Sequence, residues 1–138
     1  MSNQLDSSVT LAKALGHQAR LRVLAMLRSG ELCVCQITAI LELAPSTVSA
    51  HLRELKMAGL VTERRDGRWV YFSLSNSDPI RRWIDAALDT AADDSQLAAD
   101  RAAVTQIRWL PVEDLCRLGY EQAKAKWIHA LTAKAVTP

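Results

Sequence analysis

Pro45-Ser46-Thr47-Val48-Ser49-Ala50-His51-Leu52-Arg53-Glu54-Leu55-Lys56-Met57-Ala58, closed by Gly59, is the best-marked helix in the chain. Pro45 suits the first helical position, where its missing N–H leaves nothing unsatisfied. Val48, Leu52 and Leu55 repeat at i, i+4 and i+7, the spacing of a buried seam. The opposite ridge carries Ser46, Ser49, Ala50 and Arg53, flanked by Thr47 and His51. Short hydroxyls near a helix start can approach base edges and phosphates closely, and Arg53 can pair with a guanine or a phosphate. The plainer reading of that ridge is a solvated face, and of His51 a hydrogen-bonded scaffold residue.

The neighbours on each side decide between the two readings. Downstream the period changes to two. Val61 to Arg65 and Arg68 to Leu74 read as strands joined by Asp66-Gly67, a strong two-residue hairpin signal. Arg64, Arg65 and Arg68 then sit at the hairpin tip, placed to reach a phosphate backbone or a minor groove. Upstream, Glu31-Leu32 reads as an extended entry to a helix from Cys33 to Leu41, with Ile37, Ile40 and Leu41 inward, and Glu42-Leu43-Ala44 is a tight link. Helix, link, helix and basic hairpin together spell a winged helix-turn-helix that grips double-stranded DNA.

Further out, a first helix is predicted from Ser8 to Leu15, with Val9, Leu11, Ala12 and Leu15 as its apolar side. A second runs from His17 to Arg28 on Leu21, Val23, Leu24 and Leu27, with Arg20, Arg22 and Arg28 solvated. Ser75-Asn76-Ser77-Asp78-Pro79 starts a fifth helix whose stripe is Ile80, Trp83, Ile84, Ala87 and Leu88. Beyond it, helices are expected from Ser95 to Arg108 and, after the break at Leu110-Pro111, from Val112 to Leu131. The fold class is mainly α with a β-hairpin wing. Residues 1–92 form the DNA-binding and dimerisation unit, and 93–138 an extra C-terminal helical tail. Trp109, Tyr120 and Trp127 in the tail read as packing residues, and the tail itself as an extension of the dimer, a shield for the thiols or a binding surface.

Composition fits a folded soluble protein, with 49% apolar and 23% charged residues among 138. No apolar run approaches the roughly 18 residues of a membrane span. The opening Met1-Ser2-Asn3-Gln4-Leu5-Asp6 does not read as a secretory signal, so a cytoplasmic protein is expected. The net charge of +2 is small but uneven. Residues 1–77 hold nine Lys/Arg against six Asp/Glu, residues 78–100 two against six, and residues 101–138 six against three. A positive front half suits DNA, and the acidic segment an element kept off it.

Two of the three cysteines lie in Glu31-Leu32-Cys33-Val34-Cys35, at the predicted start of the helix before the reading helix. In a reducing compartment such cysteines bind metal or do redox work more often than they build a disulfide scaffold. Soft thiolates select soft ions, a helix start favours the thiolate, and no nearby His, Asp or Glu set suggests a four-ligand zinc cage. Residues i and i+2 lie about 200° apart around a helix, so capture of one ion by both thiols predicts unwinding of the first turn. The structural alternative, two buried cysteines, is disfavoured because alternating positions cannot both face one core.

Glu31-Leu32-Cys33-Val34-Cys35, then Ala44-Pro45-Ser46-Thr47-Val48-Ser49-Ala50-His51-Leu52, then Gly67-Arg68-Trp69-Val70-Tyr71, resemble the ArsR/SmtB family of metal-sensing repressors, most of all its arsenic-responsive branch. The resemblance covers about residues 8–90. It implies a homodimer on an inverted-repeat operator, released by trivalent arsenic or antimony at Cys33 and Cys35. It also implies dimerisation through the N-terminal and fifth helices, with Leu11, Leu15, Trp83, Ile84 and Leu88 as the candidate residues. The arsenic branch often has a third cysteine three residues after the second, and here that position is Thr38. Trivalent arsenic prefers three sulfurs. Cys116 lies outside the resembling region; it either completes the site, from the same subunit or its partner, or is a small packing residue beside Leu115 and Leu118. A glutathione sulfur or a methyl group on the arsenic could fill the third position instead.

Two other regulatory readings stay open: a repressor answering cadmium, lead, zinc or methylarsenite, and a thiol-redox sensor in which Cys33 and Cys35 oxidise. A thiol enzyme is the distant alternative. It needs an acid–base partner, whereas His17, His51 and His129 are scattered and there is no Cys-x-x-Cys. No catalytic cofactor is expected.

Overall fold

The first helix, α1 (Gln4–Leu15), begins four residues before the apolar spacing predicts. Asn3 caps it: the Asn3 side chain accepts from the Asp6 N–H at 2.8 Å, and the Asp6 carboxylate reaches back to the Asn3 N–H. The structure is a computed structural model describing residues 3–136, with side chains through residue 128; His129 and Leu131 therefore lie beyond the described side chains. After α1 come α2 (Gln18–Leu27), β1 (Leu32–Cys33), α3 (Val34–Leu41), α4 (Pro45–Met57), β2 (Val61–Asp66) and β3 (Trp69–Leu74). The chain continues through α5 (Asp78–Asp89), α6 (Ser95–Ile107), α7 (Val112–Leu118) and α8 (Tyr120–Val136). No helix among the described residues is long and apolar enough to cross a membrane.

The wing is a three-stranded antiparallel sheet in the order β1-β3-β2. The extended entry at Glu31-Leu32 becomes a real strand, pairing Leu32 with Phe72 and Cys33 with Tyr71. The hairpin register pairs Asp66 with Trp69, so the turn residues are Gly67 and Arg68 rather than Asp66 and Gly67. Only Gly67 needs positive φ, at 60°; glycine first and an ordinary residue second is the other common two-residue hairpin turn. Glu42, with φ of 57°, makes the left-handed turn between α3 and α4.

One core joins the helices and the sheet: Val23 and Leu24 from α2, Leu32, Ile37, Val48, Leu55, Leu60, Phe72, Ile84, Leu88 and Val104 all pack in it. Its membership corrects three expected dimer residues. Leu11, Ile84 and Leu88 are buried inside the single chain, at 7%, 0% and 2% exposure, because α5 and α1 lay their most apolar stripes on α2 and on each other. Leu15 is half-buried against the same core. Trp83 remains exposed, as do Leu5 and Val9 on α1.

The arginines of α2 are also not simply solvated. Arg22 donates from Nε and Nη2 to both carboxylate oxygens of Asp100 at 2.8 and 2.9 Å, and so ties α6 to α2. Arg28 donates to Asp85 of α5 at 2.8 Å, and Arg20 to His51 at 3.2 Å. Three of the acidic side chains between residues 78 and 100, Asp85, Asp89 and Asp100, thus neutralise Arg22 of α2 and Arg28 at its C-terminal end.

The last predicted helix, Val112 to Leu131, is two helices. Gly119, with φ of 83°, breaks the predicted run between α7 and α8. A second core of Ile107, Leu110, Leu115 and Ala123 forms there, with Cys35, Ala39, Ile40, Tyr120 and Trp127 packed against it. The tail therefore rests on α3, the helix that carries Cys35.

Candidate nucleic-acid interface and thiol site

Helix α4 presents Ser46, Thr47, Ser49, Ala50 and Arg53 to solvent. His51 does not share that face. It is 9% exposed, its Nδ1 accepts from the Arg20 Nε, and its ring lies 4.4 Å from that of His17. Burial, with His17 and Arg20 alongside, pushes its pKa down, so it stays a neutral acceptor. His51 fastens α4 to α2, the scaffold role open to it from sequence.

On the wing, Arg65 and Arg68 are exposed, and the Arg68 guanidinium lies 5.3 Å from the Trp69 ring centre. Arg64 is committed elsewhere. It donates to both oxygens of Glu31 at 3.0 and 2.7 Å and lies over the Tyr71 ring at 4.6 Å. That bidentate contact holds the Glu31 carboxyl below its usual range and ties the hairpin to the segment entering β1. Arg65→Ala with Arg68→Ala is expected to weaken binding on all DNA sequences and to reduce the slope of log affinity against log salt by about 2. Titrations at several salt concentrations would show it, and an unchanged slope would remove the wing from the phosphate contacts.

The three cysteines converge. Cys33 closes β1, Cys35 sits in the first turn of α3, and Cys116 projects from α7. Their sulfurs all lie within 4.8 Å of one another. Cys33 has extended backbone angles, φ −75° and ψ 150°, and its N–H donates to the Gln36 side chain at 2.8 Å. It is thus outside the helix, and the 200° separation expected between the thiols does not apply. The sulfurs meet with the first turn of α3 intact. Cys35 and Cys116 form a disulfide, while Cys33 is free and buried. The oxidised pair is therefore not the Cys33–Cys35 pair expected for a redox sensor, because the tail brings a third sulfur to Cys35.

Two sulfurs sharing one ion at a bond length of about 2.3 Å lie at most about 4.6 Å apart. Once the disulfide is reduced and its two sulfurs part from bonding contact, the three thiolates, within 4.8 Å of one another, are placed to hold one soft ion. They form the floor of a cleft of about 520 Å³ between α4 and the wing, lined also by Ser49, Leu52, Arg53, Lys56, Arg68 and Trp69. Lys56 was not singled out from sequence, yet it continues the ridge of Ser46, Ser49 and Arg53.

Asp114 anchors the tail beside Cys116. It accepts from Trp127 Nε1 at 2.7 Å, Lys126 at 3.0 Å and Arg117 at 3.1 Å. These donors hold its pKa down to about 2. A carboxylate whose folded pKa is depressed stabilises the fold above its unfolded pKa, about 3.9, and stops doing so as pH falls through the folded value. The fluorescence of Trp127 is expected to change between about pH 4 and pH 2, and Asp114→Asn to remove that change. A titration identical in the variant would exclude Asp114 as the anchor.

Residues 17–63 match the family described as bacterial regulatory protein, arsR family. HlyU from Vibrio cholerae N16961 superposes with a TM-score of 0.60 at 32% identity, over 67% of this chain and 100% of that one. The chain belongs to the ArsR family. The arsenic resistance transcriptional regulator ArsR1 of Pseudomonas putida is 42% identical over 85 residues, 61% of this chain and 65% of that protein. The homodimeric winged helix-turn-helix DNA-binding domain Mb0332 of Mycobacterium bovis is 31% identical, with a TM-score of 0.57 over 69% of this chain and 93% of that one. This ArsR-family chain is a winged helix-turn-helix transcriptional regulator, not an enzyme.

Proposed function

We propose that this ArsR-family regulator is a homodimeric repressor on an inverted-repeat operator, released when trivalent arsenic or antimony is held by Cys33, Cys35 and Cys116 of one subunit. The observation that carries the reading is the convergence of three sulfurs within 4.8 Å from β1, α3 and α7. Three thiolates suit a three-coordinate soft ion better than a closed four-ligand zinc site. The name of the Pseudomonas putida relative points the same way. Ser46, Thr47, Ser49, Ala50 and Arg53 are the groove-facing residues, and Arg65 and Arg68 the wing contacts. Leu5, Val9 and Trp83, the exposed apolar side chains of α1 and α5, are the dimer contacts.

The chain couples the two sites through one strand pairing and one short covalent path. Cys33 pairs with Tyr71, two residues from Trp69 and three from Arg68 on the wing. Cys35 lies on α3, which reaches α4 through Glu42-Leu43-Ala44. A displacement of sulfurs at the cleft floor moves both walls that face DNA, and about 1–3 kcal/mol of coupling suffices for release. Operator binding in reductant, titrated with arsenite, antimonite, methylarsenite, cadmium, lead and zinc, tests the reading. Release by arsenite or antimonite at the lowest concentrations is expected; full retention of DNA at saturating metalloid refutes it.

The Cys35–Cys116 disulfide favours a second reading, release by oxidation. Peroxide without reductant, rather than arsenite with it, would then free the operator.

A further inference from the structure

The cleft above the sulfurs carries charge that ion capture does not use. Arg53, Lys56 and Arg68 line it, and its one carboxylate, Glu63, is already bound to Lys56. The net field is positive. Between the cations, Leu52, Val70 and Phe72 supply apolar wall, and the volume of about 520 Å³ falls in the range of small-molecule sites, about 300–1,000 Å³. An apolar cleft with a cationic lining over a disulfide matches one class of molecule: a small organic anion that is itself a thiol.

We propose that this cleft binds an anionic low-molecular-weight peptide thiol carrying two carboxylates, and that the bound thiol reduces the Cys35–Cys116 disulfide. The carboxylates pair with the arginines while the sulfur reaches the floor. The thiolate attacks Sγ of Cys116. The new S–S bond joins the small thiol to Cys116, and Cys35 leaves as a thiolate that takes a proton from water. The start of α3 favours negative charge on the departing Cys35 sulfur, which sets the direction of attack. A second molecule of the thiol attacks the small-molecule sulfur of the mixed disulfide. Cys116 leaves as a thiolate, and the two small thiols depart as their own disulfide. Two electrons pass from two thiols to the protein, and three free cysteines result.

The site would thus regenerate the trithiol form, whichever ion that form captures; the proposal stands on the cleft and the disulfide alone. Arg53 and Arg68 are also DNA-facing, so operator and peptide thiol compete for the same cations, and reduction slows on DNA-bound protein.

The test uses the full chain oxidised with peroxide. Peptide mapping first identifies the bonded pair, and loss of the bond is then followed by alkylation and mass measurement. Reduced glutathione, 2-mercaptoethanol and cysteamine are compared, each rate divided by that thiol's rate on a small neutral disulfide. Glutathione is expected to lead by about tenfold, the lower end of electrostatic steering effects. That lead should vanish in about 1 M salt, where charges are screened within about 3 Å, and in the double variant Arg53→Gln, Arg68→Gln. It should persist in Arg82→Gln, a surface change on α5 outside the cleft. Equal normalised rates for the three thiols, a lead untouched by salt or by the double variant, or a Cys35–Cys116 bond that does not form on oxidation, overturns the proposal.

Discussion

Serine at Cys35 or Cys116 is expected to leave operator affinity near that of the unaltered protein and to raise the arsenite concentration for half-release by at least about 100-fold, about 2.7 kcal/mol. Each substitution removes one of three sulfurs that lie within 4.8 Å of one another and leaves every side chain on the exposed ridge of α4 unchanged. Cys33 needs a different replacement. It is 1% exposed, so serine there would bury a hydroxyl at about 1–3 kcal/mol and confuse stability with sensing. Cys33→Ala is the cleaner change, with the same expected loss of response. The measurement is fluorescence anisotropy of an operator fragment titrated with arsenite in reductant. If Cys116→Ser releases DNA at the same concentration as the unaltered protein, the tail contributes no ligand and the site reduces to the Cys33–Cys35 pair. If all three variants respond unchanged, the thiols are not the sensor.

Ile84→Ala is expected to lower unfolding free energy by about 2–5 kcal/mol and the melting temperature by roughly 10 °C. Ile84 is fully buried in the core shared by α2, α3, α4 and the sheet. Its truncation leaves a cavity rather than a weaker contact between subunits, so the size of the loss should not depend on protein concentration. Trp83→Ala, one residue away and exposed, should behave the opposite way, with little effect on urea unfolding at high concentration but a shift of the monomer–dimer equilibrium in sedimentation. Concentration-dependent unfolding of Ile84→Ala beyond that of the unaltered chain would return Ile84 to the interface.

The contrast between those neighbours shows where sequence reasoning stops. The stripe of α5 was legible because its spacing is helical. Whether it faced its own chain or a second copy was not, since a periodic pattern names a face and not the surface that covers it. The reading helix and hairpin were legible for a firmer reason: Pro45, the Val48–Leu52–Leu55 seam and Gly67 each have a local cause. The hairpin turn was misplaced by one residue because both Asp-Gly and Gly-X tolerate the required angles. At the thiol site, a one-residue error in the start of α3 changed the geometry, since Cys33 in a strand and Cys33 in a helix point differently. The part played by the tail was the least visible. Cys116 lies 81 residues from Cys35, and only the packing of Ile107, Leu110 and Leu115 against α3 brings them together. The pairing of Arg22 with Asp100 across 78 residues was hidden for the same reason.

Cys116 rides on α7, well outside residues 17–63, the stretch that matches the family. The residues facing DNA and the cysteine on α7 thus lie on separate segments of the chain. A stop codon just after α6 would spare the Arg22–Asp100 tie and Val104 while deleting α7. If the three sulfurs are the proposed sensor, such a descendant would keep its promoters shut and grow deaf to the signal, a one-step route from inducible to permanent silencing.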